Sequence, residues 1–241
     1  MFDLQSFSLR EMTACGVALR GLGKGAASME EVSGRVVRFL FEHLRSGADG
    51  AAACVLVRLF VTVPYAQLEP DLQRFARDVL GREPESPAMR CLTLLGTAGA
   101  RPEWNARATS LAHKALPLVS EASIGRSPMI AQLIGQLGVE TASLLAADPH
   151  FVLDAHQHTF NVFHVLDAVG SPHIPAQQEF VIPFGVRSVI GFGGLLPTGD
   201  LFATIVFTKH QVPRQTADLF KALALNVKVA LVPFAGQRIF A

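Results

Sequence analysis

Two spacings organise the apolar positions of this chain. The first is helical. Leu4, Phe7, Met12, Cys15 and Leu19 fall roughly along one face, which predicts a first helix over 3–20 that stops at the breaker cluster Gly21-Leu-Gly-Lys-Gly25. Ser28-Met-Glu-Glu31 has the capping-box pattern, and Val32, Val36, Phe39, Leu40 and Leu44 follow at three- and four-residue spacing. A second helix is predicted there, ended by Gly47-Ala-Asp-Gly50. Pro70 opens a short helix with Leu72, Phe75, Ala76, Val79 and Leu80 inward and Gly81 at its exit. Ser127-Pro128 places an N-cap and a first-turn proline before a helix over 128–137. Pro213 opens the last helix, Arg214 to Val232. Its stripe of Ala217, Phe220, Leu223, Ala224, Val227 and Leu231 is widened by Leu219, Leu225, Val229 and Ala230 beyond one face.

The second spacing belongs to strands. Cys54 to Val63 is apolar on both faces, the signature of a strand inside a sheet covered on both sides. Met89 to Thr97 predicts another, and Leu111 to Leu118 an edge strand closed by Pro117. Three further runs, rich in Phe, Val and Ile, lie between Phe160 and Thr208, with a short helix expected over 174–182. Pro197-Thr-Gly-Asp200 separates the last two. Proline presets φ and glycine tolerates the positive φ of a tight antiparallel connection, so a hairpin is predicted. Residues 139–159 read either as helix to Ala147 or as irregular chain, with a break at Asp148-Pro149. Strands therefore come in clusters, not in strict βαβ alternation. The expected fold is α+β, a central antiparallel sheet of five to six strands with helices on its faces and at both ends. Residues 1–50 are expected to form an N-terminal helical extension to a domain over 51–241.

Composition narrows the function. Net charge is +1, so no global field draws in nucleic acid or an anionic membrane. Half the residues are hydrophobic and 17% are charged, lean for a monomer surface. Together with the wide apolar face of the last helix, this predicts a homodimer built on the terminal helices. No apolar run is long enough for a membrane span, and the opening Met-Phe-Asp-Leu-Gln is not followed by the apolar run of a secretory leader. Cys15, Cys54 and Cys91 are isolated in sequence and read as reduced, mostly buried thiols of a cytoplasmic protein.

Catalytic signatures are thin. The serines lack a nucleophile elbow, and the acidic residues Asp154, Asp167, Glu179 and Asp200 lie in different elements. Gly191-Phe-Gly-Gly194 leads into a hairpin and not a Lys-Ser/Thr helix, so it reads as a place of close packing in a strand. No catalysis is expected. Trp104, Phe160, Phe163, Phe180, Phe184 and Phe192 are expected either to line an apolar cavity between sheet and short helix or to fill the core, with His164 and His173 flanking the cavity. His150, His156, His158, His164 and His173 crowd one stretch, which keeps open a haem or metal sensor, or a small enzyme. The bland counterpart is a solvated loop, and no metal or cofactor is assigned.

Gly185-Val-Arg-Ser188-Val-Ile-Gly, followed by Leu195-Leu-Pro-Thr-Gly199-Asp-Leu-Phe-Ala, resembles a GAF domain. The run from Asn161-Val-Phe-His164 to Phe207 is similar to the N-terminal sensory region of bacterial multi-domain histidine kinases, and the resemblance covers about residues 90–232. It implies a small-molecule sensory module of two-component signalling that relays its signal through terminal helices to a kinase or other partner. The chain departs from the subtypes with known ligands: it has no Asn-Lys-x-Phe-Asp-Glu set and no cysteine placed for a bilin. A ligand-free interaction scaffold is the remaining alternative.

Overall fold

The sheet is built around the strand from Cys54 to Pro64, which the computed structural model buries on both faces along almost its whole length. The structure describes residues 1–47, 50–110, 113–125, 127–137 and 161–241. In chain order, the strands are β1 (Phe2–Asp3), β2 (Leu44–Ser46), β3 (Ala51–Ala52), β4 (Cys54–Pro64), β5 (Arg90–Gly99), β6 (Ala115–Leu118), β7 (Phe163–Val165), β8 (Ser188–Leu195) and β9 (Leu201–Thr208). The helices are α1 (Leu9–Gly21), α2 (Met29–His43), α3 (Pro70–Leu80), α4 (Glu121–Gly125), α5 (Pro128–Leu137) and α6 (Arg214–Leu231). Strands β4 to β9 form a six-stranded sheet in the order β6-β5-β4-β9-β8-β7. Every pairing in it is antiparallel. This is the expected α+β arrangement, a central antiparallel sheet with helices on its faces. Val189 and Ile205 lie in adjacent strands joined by the Pro197–Asp200 hairpin, where Gly199 has φ +79°.

Strand alternation splits the sheet into two faces. Val57, Leu59, Val61, Ile190, Phe192, Phe202 and Val206 point to one side and pack with α1, α2 and α6. Leu56, Phe60, Leu94, Val189, Ile205 and Phe207 point to the other, where α4, α5 and the segment after β7 cover them. Close approach on the first side is bought with glycine. A Cβ built on Gly96 would lie 2.5 Å from the Ser33 carbonyl oxygen of α2, and one on Gly23 would lie 2.5 Å from the Ala230 carbonyl of α6. Gly96 adjoins a bulge: Leu59 pairs with Gly96 and Phe60 with Leu94, leaving Leu95 unmatched.

Several local expectations are corrected. The first helix begins at Leu9, not at residue 3. Ser8 caps it in a reciprocal box with Glu11, while Phe2–Asp3 is extended and pairs with Leu44–Arg45. The second helix ends at His43, short of the expected Gly47, because Leu44–Ser46 is a strand, and β1, β2 and β3 form a separate three-stranded sheet. At Ser28 the capping box is offset by one residue. Ser28 Oγ accepts from Glu31 N at 3.1 Å, but the Glu31 carboxylate accepts from Ala27 N at 2.8 Å. Residues 174–182 contain a single π-helical turn, Gln177–Val181. Leu223 and Val227 of α6 are fully buried in the chain's own core, and α1 lies along α6.

Candidate ligand cavity

The second face of the sheet does not close completely. A cavity of about 290 Å³ remains between β4, β9 and their neighbours on one side and α5 with residues 174–180 on the other. Leu56 and Phe60 of β4, Ile205 and Phe207 of β9, and Leu133 of α5 form its apolar walls. A second hollow of about 510 Å³, between the end of α3 and the edge strand β6, is rimmed by Arg82, Glu85 and Ser86 and has a more polar lining.

The cover over the smaller cavity is fastened by its own backbone. Gln177 Nε2 donates to Ala168 O at 2.9 Å and to Ile174 O at 2.8 Å, and Gln177 Oε1 accepts from Gly170 N at 2.9 Å. Ala176 turns the chain with φ +56°, a conformation uncommon for a residue with a side chain. These contacts hold Phe180 over the pocket, edge-on to Phe207 at 5.1 Å and to Trp104 at 5.5 Å between ring centroids. Trp104 is seated by two devices. Thr97 Oγ1 donates to its carbonyl at 2.8 Å, and Gly99 leaves the room its ring needs, since a Cβ there would come within 2.9 Å of it. Phe184 packs against Trp104 at 4.7 Å, with the Arg101 guanidinium over its ring.

One charge sits in this apolar setting. Arg58 is the central residue of β4 on the cavity side, flanked by Thr97 and Ile205 on the neighbouring strands. Its Nη2 donates to Ser110 Oγ at 3.2 Å. Its Nε is shut off from solvent and has no hydrogen-bond partner among the described residues. None of the ion pairs among those residues includes it. Two other largely buried arginines are treated differently. Arg90 meets Asp200 at 2.6 Å, and Arg107 meets Glu30 at 2.8 Å, with Glu69 and Asp71 beside it. Desolvation pulls Arg58 down to about 10, so the guanidinium stays protonated at neutral pH. Burying an unpaired ion costs on the order of several kcal/mol even after relaxation. Next to it, His113 is held below the usual imidazole range by burial and then by the Arg58 charge, which favours its neutral form. Glu103 and Glu179 stand at the rim; Glu103 is paired with Arg101 at 2.7 Å and Glu179 is exposed.

Of the residues singled out from sequence, Trp104 and Phe180 line the cavity and Phe184 supports Trp104 from behind. Phe163 lies in the same apolar cluster, fully buried, with Gly191 making room for its ring. Phe192 points to the opposite face and packs on Phe220 at 5.4 Å. His164 also lies away from the cavity, its Nε2 2.8 Å from the Val212 carbonyl and its backbone N–H on Gln136 Oε1. His173 is part-exposed beside Ser171. Phe160, His150, His156 and His158 lie outside the described residues. Among the described residues, no three histidine, cysteine or carboxylate side chains converge as metal ligands would. Sequence reading passed over Arg58, although a lone arginine in a ten-residue apolar strand was a usable signal.

No known protein family matches the sequence, and no curated protein does. Among solved structures, a similar chain is a bacteriophytochrome from the photosynthetic bacterium R. palustris, at 8% identity and a TM-score of 0.36. The match covers 93% of this chain, which spans 39% of that one. A likeness at this level decides nothing about ligand or partner. No described helix is long and apolar enough to cross a membrane.

Proposed function

We propose that the chain is a sensory module that takes up a small molecule in the 290 Å³ cavity and passes on its occupancy through α1 and α6. The carrying observation is the relation of the cavity to the helices. Strand β9 presents Ile205 and Phe207 to the cavity and Phe202 and Val206 to the helix side, so one strand carries both a wall of the pocket and part of the bed of the helices. A ligand that fits one packing of that strand better than another biases the helix pair by its differential affinity.

A homodimer is part of the proposal. Leu225 and Val229 of α6, with Val232 just past its end, recur at four- and three-residue spacing and remain exposed, by 64, 44 and 38%. Leu219 packs against the core instead. Two copies joined along the exposed stripe would place two cavities symmetrically about one helix pair, the layout a module of bacterial two-component signalling needs to act on a kinase or similar partner. Native mass spectrometry of the purified protein tests both parts. The expected spectrum is a dimer carrying a small-molecule mass, with Leu225→Glu shifting it toward monomer while circular dichroism stays unchanged. A monomer at micromolar concentration would remove the dimer, and failure to take up any of a panel of small apolar molecules would remove the sensory reading.

A further inference from the structure

We infer that the cavity is built for a small monocarboxylate with an apolar body, held by the Arg58 guanidinium. This rests on the cavity being a ligand site, as proposed above, and adds the class of ligand. The charge argues for an anion. Arg58 lines the cavity and has no carboxylate partner among the described residues, while Arg90 and Arg107 have theirs. A guanidinium is a planar fork of donors, and a carboxylate is the planar acceptor that matches it.

The surroundings select among anions. His113 is the other titratable group beside the fork, and in its neutral form it adds no second cation. One positive charge is balanced by one negative charge, so a phosphate ester carrying close to two charges is poorly matched. Glu179, exposed at the rim, opposes a second negative charge at the outer end of the ligand. Between fork and rim the walls are aliphatic and aromatic, with Leu56, Phe60, Leu133, Phe180 and Trp104 in contact range of a bound body. At about 290 Å³ the space is at the small end of ligand cavities, which fits a single ring or a branched alkyl chain.

Trp104 is the chain's single tryptophan and lines the cavity, so its fluorescence reports occupancy without a label. Wild-type protein would be titrated with phenylacetate, 4-methylpentanoate, their two neutral amides, and inorganic phosphate. The expected result is saturable binding of the acids, with the isosteric amides weaker by about tenfold or more, since a hydrogen bond to a charged group exceeds a neutral one by that order. Arg58→Met should bring the acids down to the level of the amides while the amides bind as before. Equal binding of acids and amides by wild type would leave the cavity standing and overturn the carboxylate. So would acids that bind Arg58→Met undiminished, or phosphate alone giving the same shift. No response to any of the four organic probes would overturn the cavity reading and this inference together. The comparison of acid with amide in wild type holds whether or not Arg58→Met folds.

Discussion

Thr204 shows how closely the helix side of the sheet is filled. It is fully buried on β9, and its hydroxyl has no hydrogen-bond partner among the described residues. Valine has nearly the same shape and no polar atom to leave unsatisfied. Thr204→Val should therefore raise stability by about 1 kcal/mol, measured as a higher urea midpoint at unchanged slope. The three thiols belong to the same dry interior. Burial pushes Cys15, Cys54 and Cys91 each up to about 12, so none is a nucleophile at neutral pH. Candidate site residues were legible from sequence where chemistry and position coincided. Trp104 and Phe180 are large apolar side chains in short turns outside the strands, and both line the cavity. His164 could not be assigned a side because β7, three residues long, leaves its register unmarked, and Phe192 could not because β8 is buried at every position and shows no alternation. Arg58 was lost to majority: a run of apolar neighbours set the reading of the strand, and its one charge was not weighed.

Among the elements, those with local punctuation were readable. Ser28, Pro70 with Gly81, and Pro197 with Gly199 mark boundaries found within a residue or two of their predicted places. The small sheet of β1, β2 and β3 was not readable, since strands of two or three residues have no period and owe their form to each other. Leu4 and Phe7 fit a helical stripe but reach the core from non-helical chain ahead of Ser8. The contact between α2 and β5 offers a paired test of packing. At Gly96 an added methyl would meet the backbone of α2, whereas at Gly34, inside α2, nothing lies within 4 Å of an added Cβ. Gly96→Ala should cost about 1–3 kcal/mol by overpacking. Gly34→Ala should gain about 0.5–1 kcal/mol from the lower backbone entropy lost on folding. Denaturant unfolding of the two variants would show opposite shifts; shifts of the same sign would mean that α2 does not seat on β5 as described.

At the scale of the molecule, acid should weaken the fold through its histidines. His113 is held low by burial and by Arg58; His164 is held low by burial, against the opposing effect of its bond to Val212. In the unfolded chain both return to about 6.5. Between that value and the lower folded values, the unfolded state binds more protons, so stability rises with pH and falls as pH drops below about 6.5. Urea midpoints taken from about pH 7.5 down to 5.5 should decline, and His164→Gln should flatten part of that decline. An unchanged slope in the variant would mean that His164 is charged as easily in the fold as outside it.

The sheet order also sets a constraint in time. Strand β4 lies between β5, which follows it soon in sequence, and β9, Leu201–Thr208, which is synthesised much later than either. Until β9 emerges, β4 and β5 can pair only with one edge of β4 left open, a row of unpaired backbone groups in a strongly apolar strand. Contacts so distant in sequence make folding slow and leave such edges exposed to other chains meanwhile. Arg58 lies within that open edge. A charge in the middle of an unpaired apolar strand discourages intermolecular pairing, so on this principle the guanidinium that faces the cavity in the finished fold would also disfavour such pairing before the cavity exists.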